Sequence, residues 1–183
     1  MPRAKLDTET LLRTMAGHVL ANGLSTASLR PLARAANTSD RMLIYHFGSK
    51  DALIRQLLQH IAGQMAQRLS QALPPRPANS VGECALQLRA LLRTPDFRPY
   101  SRLWLDIVGA AARGDERYAE TGKAIIDGFL DWIAHRLPEA LPDKPGVAQL
   151  LLAVVEGSLV MDALGHGETG DRAIATFAEA FDR

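Results

Sequence analysis

Six side chains between positions 40 and 50 form the most chemically distinctive group in this sequence. They combine a carboxylate, a guanidinium, a thioether, a phenol, an imidazole and an ammonium group, in the order Asp40, Arg41, Met42, Tyr45, His46 and Lys50. Cationic and hydroxyl groups bind phosphate oxygens, and forked or aromatic side chains can contact base edges in a DNA groove. The group therefore predicts contacts to the phosphates and bases of DNA.

Lys50 carries a second signal, because it stands in the first turn of a helix. The N-terminal end of a helix carries partial positive charge, so a lysine there is unfavourable unless an anion lies in front of it. A DNA phosphate is such an anion. We therefore expect Lys50 to hold the phosphate backbone, together with Tyr45 at the end of the preceding helix.

The elements that must position these side chains are two short helices with a tight turn between them. Apolar residues at helical spacing define the two inner faces: Leu32, Ala33 and Ala36, then Leu43, Ile44 and Phe47. Asn37 stands at the reversal, and Asn tolerates left-handed backbone better than most residues. The pattern predicts a helix-turn-helix, which places its second helix in a DNA groove.

Capping residues set the expected limits of these helices. Ser28 is expected to cap the first, with Pro31 inside its first turn, and Ser39 the second. Gly48 is expected to end the second helix, and Ser49 to cap the next one.

The segment from Ser28 to Asp51 resembles the DNA-binding domain of the TetR family of bacterial transcriptional regulators. The run Leu43-Ile-Tyr-His-Phe-Gly-Ser-Lys50 carries most of the likeness, and the resemblance covers roughly the first quarter to third of the chain. It implies a homodimer that binds DNA. The residues expected to contact DNA are Arg30, Ser39, Asp40, Arg41, Met42, Tyr45, His46 and Lys50.

Three positions depart from the usual pattern of the family. Asn37 stands where glycine is common, Asp40 where lysine is common, and Ile44 where tyrosine is common. Asp40 bears on function, since a carboxylate repels phosphate and can instead accept from a cytosine amino group. This departure concerns the operator sequence and not the binding mode.

The charge of the chain is distributed unevenly. Residues 1–50 hold seven Lys/Arg against three Asp/Glu, and residues 51–183 hold fourteen against seventeen. The basic end coincides with the helix-turn-helix, as expected of a DNA-binding head on a body with another task. Ordinary variation in surface charge is the alternative explanation.

Composition and motifs exclude several classes of protein. No run is expected to cross a membrane, the stretch from Met1 to Asp7 lacks the apolar core of a signal peptide, and Cys84 is the only cysteine. The five histidines are scattered, and no phosphate loop or catalytic elbow is present. We therefore expect a cytoplasmic protein that is no enzyme and has no metal site or cofactor.

Apolar spacings of three and four recur along the whole chain and predict an all-α fold of about nine helices. A DNA-binding domain is expected over residues 1–48 and a ligand-binding and dimerisation domain over 49–183. The predicted helices beyond the helix-turn-helix run from about Asp7 to Asn22, from Ser49 to Pro74, from Ser80 onwards, from Tyr100 to Arg113, from Asp115 to Leu137, from Gly146 to Leu164, and through Phe181.

The eighth predicted helix is apolar nearly all round, so it must be covered on more than one side. A second copy of the chain, pairing the last two helices across a two-fold axis, would cover it. The residues expected at this dimer interface are Leu151, Val155, Ser158, Leu159, Ile174, Phe177 and Phe181. Burial of the helix within its own subunit is the alternative.

Aromatic, methionine and arginine residues in the same part of the chain could line a ligand cavity. They are Met65, Tyr100, Arg102, Trp104, Phe129, Trp132 and Met161. Ordinary core packing, or solvation for Arg102, explains them equally well.

The sequence as a whole predicts a homodimeric, ligand-responsive transcriptional regulator, most simply a repressor that a small, mostly apolar molecule releases from an inverted-repeat operator. One rival is a small all-helical enzyme or carrier in which the helix-turn-helix is only a packed hairpin. The other is an architectural DNA-binding protein without a ligand.

Overall fold

The computed structural model describes residues 7–182, and this part of the chain is entirely helical. The α-helices are α1 (Thr8–Asn22), α2 (Leu29–Ala35), α3 (Asp40–Phe47), α4 (Lys50–Ala72), α5 (Val81–Leu92), α6 (Arg98–Ala112), α7 (Glu116–Arg136), α8 (Lys144–Ala163) and α9 (Gly167–Phe181). A 3₁₀ turn, Leu24–Thr26, connects α1 to α2. The predicted all-α class is confirmed, and the N-terminal stretch assessed for a signal peptide lies outside the described residues, except for Asp7.

Two helices begin earlier than the sequence predicts, and a proline explains each difference. Pro99 lies in the first turn of α6 and Pro145 in the first turn of α8, where the sequence analysis placed both outside the helices. Proline is tolerated in a first turn because its missing N–H would have no partner there. Asp143 caps α8 by accepting from the Gly146 N–H at 3.0 Å.

The chain forms two compact units. Unit 1 consists of Met1–Gln64 and Arg102–Ala124, and unit 2 of Met65–Ser101 and Ile125–Arg183. Helices α4, α6 and α7 contribute residues to both. The predicted boundary between a DNA-binding domain and a ligand-binding domain, at residues 48 and 49, differs from this division into compact units. It concerns function and stays a prediction.

The core of unit 1 is built around α1, which packs against α2, while α2 packs against α3. Leucine, methionine, valine and phenylalanine side chains fill it: Leu11, Met15, Val19, Leu32, Leu43, Phe47, Leu53 and Leu57. Of the inner-face residues predicted for the helix-turn-helix, only Ile44 remains partly exposed. Asp7 caps the start of α1: its carboxylate accepts from the Thr10 N–H, and this bond holds the pKa of Asp7 below its usual value.

Unit 2 packs α9 against both α5 and α8, around a buried guanidinium. Arg89 is 5% exposed and donates to both carboxylate oxygens of Asp162 at 2.6 and 2.9 Å, and to Asp171 at 2.8 Å. The Ser158 hydroxyl and the Gly167 carbonyl accept its remaining bonds. This cluster joins α5 to α8 and α9. The sequence analysis did not predict it, and placed Ser158 at the dimer interface.

The last described residue of the chain caps the start of α5. Asp182 accepts from the Ser80 hydroxyl at 2.8 Å and from the Gly82 N–H at 3.1 Å. A Cβ on Gly82 would lie 2.3 Å from the Asp182 carboxylate, so the close approach requires glycine. The N-terminal end of α5 thus receives a carboxylate, as its dipole favours.

Helix α8 corrects one expectation from the sequence. By length and composition it could cross a membrane, because aliphatic side chains occupy most of its circumference. The core helix of a soluble protein can have the same properties, and α8 packs against α5 and α9 in unit 2.

Candidate nucleic-acid interface

The turn between α2 and α3 is fixed by backbone hydrogen bonds and one left-handed residue. Asn37 has φ 50°, as its position in the sequence predicted. The Thr38 N–H donates to the Ala33 carbonyl at 2.9 Å, and the Asn37 N–H to the Arg34 carbonyl at 3.2 Å. The chain therefore reverses within a few residues and presents α3 at a set angle to α2.

Serine side chains cap the starts of α3 and α4, and a glycine ends α3. The Ser39 hydroxyl accepts from the Met42 N–H at 3.3 Å, and the Ser49 hydroxyl from the Ala52 N–H at 3.0 Å. Gly48, with φ 82°, ends α3 and donates its N–H to the Ile44 carbonyl. These three predictions are confirmed.

Ser28 occupies the N-cap position of α2 as predicted, but its side chain makes no capping hydrogen bond. Only its carbonyl takes part, accepting from the Leu32 N–H at 3.1 Å. A capping hydroxyl accepts from the second or third N–H of the helix, and Pro31 removes the third.

The outer surface of α3 exposes large side chains that the fold does not need. Tyr45 is 78% exposed and Met42 42%, and the Arg41 side chain is also exposed. The Tyr45 ring meets the His46 ring edge-on at 5.5 Å between centroids, while Asp40 and His46 are partly buried. Apolar and aromatic surface is thus offered next to a guanidinium on one helix.

Lys50 is exposed at the first position of α4, as predicted, and Ser49 and Gly48 beside it are exposed too. On α2, Arg30 is exposed as well. Cations from α2, α3 and the start of α4 therefore all lie on accessible surface of unit 1.

Asp51 and Arg117 form part of this region and were missed by the sequence analysis. The Arg117 Nη1 donates to Asp51 at 3.0 Å, and its Nε and Nη2 donate to Asp115 at 3.1 and 2.8 Å. These bonds hold the pKa of Asp115 below its usual value. Beside them lies a recess of about 120 Å³ lined by Lys50, Asp51, Arg55, Arg117 and Tyr118, among others.

The residues predicted to line a ligand cavity are divided between the two units. Unit 1 holds Arg102, which is exposed, and Trp104, whose ring lies 3.9 Å from a Cβ built on Gly122. The ligand-binding role of these two residues remains a prediction.

Unit 2 holds the other five: Met65, Tyr100, Phe129, Trp132 and Met161. Tyr100 is buried, its pKa is raised by that burial, and the Arg68 guanidinium lies 5.9 Å above its ring. The Trp132 indole donates to the Ser70 hydroxyl at 2.8 Å. Their role in ligand binding is likewise untested.

Most of the residues predicted at the dimer interface are buried within the single chain. Six of the seven lie in the core of unit 2: Leu151, Val155, Ser158, Leu159, Ile174 and Phe177. Their place at a dimer interface stays a prediction. Only Phe181 is exposed, and its ring packs against Phe177 at 4.7 Å between centroids. The hydrophobic pattern could not separate the two sides of α8, because both are apolar.

The opposite side of α8 is accessible. Leu150, Val160 and Leu164 are 47%, 41% and 67% exposed.

Within the described residues no group of three or more His, Cys, Asp or Glu side chains is placed to hold a metal ion.

Together, a reversing turn, an exposed second helix and a cation at the next helix start form a helix-turn-helix, a motif that places its second helix in the major groove of DNA in the proteins that use it for binding. Residues 19–57 match the family model described as bacterial regulatory proteins, tetR family. The match agrees with the resemblance found in the sequence: residues 19–57, which contain the helix-turn-helix, are similar to the corresponding segment of that family.

Solved structures share this fold over nearly the whole chain. A TetR-family transcriptional regulator from Rhodococcus sp. has a TM-score of 0.74 at 17% identity, covering 94% of this chain and 96% of that one. The multidrug binding protein EbrR, solved with proflavin, gives 0.68 at 22% identity, with coverages of 92% and 96%.

A third structure, the transcriptional regulator FadR from Bacillus subtilis in complex with stearoyl-CoA, gives a TM-score of 0.59 at 14% identity. It covers 90% of this chain and 94% of that one. At these identities the likeness defines the fold. A comparison with curated proteins found no match.

Proposed function

We propose that this protein is a ligand-responsive transcriptional repressor that binds an inverted-repeat operator as a homodimer. The observation that carries the proposal is the outer surface of α3, where Arg41, Met42 and Tyr45 stay exposed while Lys50 opens the next helix. A hairpin with only a packing role would not need these side chains on its outer surface. Each of them has a use on DNA.

Base reading is assigned to the start of α3, and phosphate binding to its end and to the start of α4. Arg41 and Met42 face base edges, with Asp40 positioned to accept from a cytosine amino group. Tyr45 and Lys50 hold phosphates on the adjoining strand of backbone. Ser39, His46 and the exposed Arg30 of α2 add contacts around this centre.

Dimerisation is assigned to the accessible side of α8. Its exposed or half-exposed apolar residues repeat at alternating steps of four and three: Leu150, Val154, Gly157, Met161 and Leu164. Such a repeat forms the seam by which two helices pack side by side. The seam also includes the exposed Val160, which lies three residues after Gly157 and four before Leu164. Gly157 faces open space in the seam and allows a close approach.

Helix α9 offers a complementary strip of small side chains. Ala173, Thr176 and Ala180 are not buried within the chain, and they follow one another at helical spacing. Pairing α8 and α9 of two chains gives a four-helix interface about a two-fold axis. Two recognition helices then enter the major groove on one face of DNA, about 34 Å apart.

The effector is assigned as a small, mostly apolar molecule. The folds of EbrR and FadR, solved with proflavin and stearoyl-CoA, support the idea that this architecture can hold the aromatic or alkyl part of a ligand. Because α4 carries Lys50 and also contributes residues to unit 2, a ligand that shifts α4 would change the spacing of the two recognition helices. A ligand that favours another spacing of the recognition helices releases the protein from DNA. We place this regulation in the cytoplasm.

Selection of binding sites from random double-stranded DNA tests the proposal. We expect enrichment of a palindrome whose two halves are separated by about one helical turn. The matched control is a variant with Arg41, Tyr45 and Lys50 all replaced by Ala, which should enrich no sequence. Absence of any enriched sequence with the native chain would show that α3 does not read DNA.

A further inference from the structure

Arg117 is held in one orientation by Asp115, which directly precedes α7. The Asp115 carboxylate accepts two bonds from the guanidinium in a forked arrangement, and a third from the Arg117 backbone N–H at 3.2 Å. The Asp115 carbonyl also accepts from the N–H groups of Tyr118 and Ala119. The fork therefore belongs to the first turn of α7 and does not depend on any distant element.

The remaining guanidinium edge points at the first turn of α4. Arg117 Nη1 donates to Asp51 at 3.0 Å, across 66 positions of sequence. Exposed ion pairs contribute little when both side chains must be immobilised, and these two are 59% and 63% exposed. Here Asp115 already fixes the guanidinium. The bond to Asp51 therefore carries little of the conformational entropy that is lost when the Arg117 side chain is immobilised.

Asp51 directly follows Lys50, the residue assigned to DNA phosphate. A carboxylate beside a phosphate is repulsive, and the repulsion acts most strongly where salt and water screen least. Two other charged residues line the recess, Arg55 and Glu120, and their charges are opposite to each other, so together they add no net charge. Arg117 is thus the group that compensates the Asp51 charge at this point of the surface.

We propose that Arg117 is a positioning residue for DNA binding, which neutralises Asp51 so that its carboxylate does not repel the phosphate that Lys50 meets. The inference rests on the proposed function. It also gives the first turn of α7 a direct contact with the DNA-binding surface, through Asp51. Arg117 itself touches no DNA in this scheme.

The test is a set of binding titrations of operator and random DNA over a range of salt concentrations. Arg117→Ala should weaken binding to both by about tenfold, since the effect is counted once in each half of the dimer. Arg117→Lys should lose less, because it keeps the charge without the fork. Arg113→Ala is the matched control: Arg113 is exposed in the same segment and forms no ion pair within residues 7–182.

A second variant separates positioning from folding. Asp51→Asn alone should tighten binding, because it removes a carboxylate beside the phosphate, and Asp51→Asn in the Arg117→Ala background should restore most of the lost affinity. If the pair only supported the fold, Asp51→Asn would weaken binding as much as Arg117→Ala, and the double variant would be no better. That result overturns the inference.

The same titrations distinguish this inference from the proposed function. Native binding by Arg117→Ala beside weakened binding by Lys50→Ala rejects the role of Arg117 and keeps DNA binding. Unchanged binding by both Lys50→Ala and Arg41→Ala rejects the DNA-binding surface itself, and the inference with it.

Discussion

The surfaces of α3 and α8 each expose more than one large apolar side chain, and they differ in what lies between those side chains. On α3, Met42 and Tyr45 alternate with Asp40, Arg41 and His46. On α8, the stretch Gln149–Asp162 exposes aliphatic residues with only one charged residue, Glu156, between its two ends. Exposure alone therefore does not identify a function.

The difference shows that the composition of a binding surface depends on the chemistry of its partner. DNA presents charge and hydrogen-bonding edges everywhere, so a reading surface must pair each apolar contact with a polar one. A second protein chain can present an apolar surface in return, so a continuous aliphatic seam is buried without loss. The comparison predicts that the two surfaces respond to substitution in different ways.

The largest effect is expected from a charge in the α8 seam. Val160→Asp places an unpaired carboxylate in a dry interface, at a cost of several kcal/mol counted twice across the two-fold axis. Since Val160 is 41% exposed in the single chain, the fold should survive. Sedimentation should show a monomer, and operator affinity should fall by more than about a hundredfold.

Leu86→Asp is the matched control for this seam, because Leu86 on α5 is 49% exposed and lies outside it. It should stay dimeric and bind DNA normally. A Val160→Asp protein that also stays dimeric would place the interface on another surface and remove the contrast between α8 and α3.

A smaller effect is expected from Arg41→Ala on α3. It should cost about 1–3 kcal/mol on the operator and leave binding to random DNA nearly unchanged, so sequence preference should relax. Competition titrations with operator and scrambled duplexes measure the ratio of the two affinities. Equal losses on both duplexes would make Arg41 a phosphate contact, and the base-reading assignment would then fall to Met42 and Asp40.

The smallest effect is expected from Lys50→Ala at the start of α4. Binding to all DNA should weaken to a similar degree, and the slope of log affinity against log salt should drop by roughly one for each half of the dimer. The oligomeric state should not change. A native slope, measured on a folded protein, would remove Lys50 from the interface.

Cys84 offers a check that is independent of both surfaces. Burial raises the pKa of its thiol to about 11, so at pH 8 it is almost wholly protonated. A thiol reagent should label the native protein very slowly and the denatured protein at one equivalent, as measured by absorbance. Rapid native labelling would mean that α5 opens within unit 2.

The sequence was sufficient where structure depends on neighbouring residues. Asn37, Ser39, Gly48 and Ser49 each act within a few positions along the chain, so residue type and spacing predicted their roles. Ser28 takes the predicted N-cap position without a side-chain bond, and here too a neighbour matters, since Pro31 removes one of the two N–H groups that a capping hydroxyl can use.

The sequence was insufficient where partners lie far apart. Arg89 meets Asp171 across 82 positions and Arg117 meets Asp51 across 66, and no spacing rule connects them. For α8 the limit was different: its hydrophobic pattern has no polar side, so periodicity could not tell which residues face the core. Only the burial of Leu151 and the exposure of Leu150 resolve that choice.

The Arg89 cluster also has a consequence for how the chain is made. On the ribosome α5 emerges before its partners, which follow 73 and 82 positions later at Asp162 and Asp171. Until α8 and α9 have been synthesised, the Arg89 guanidinium must stay in water, and α5 cannot be buried around it. Unit 2 therefore completes its packing late in synthesis, and a pause before residue 171 would expose an unfinished α5 to chaperones and proteases.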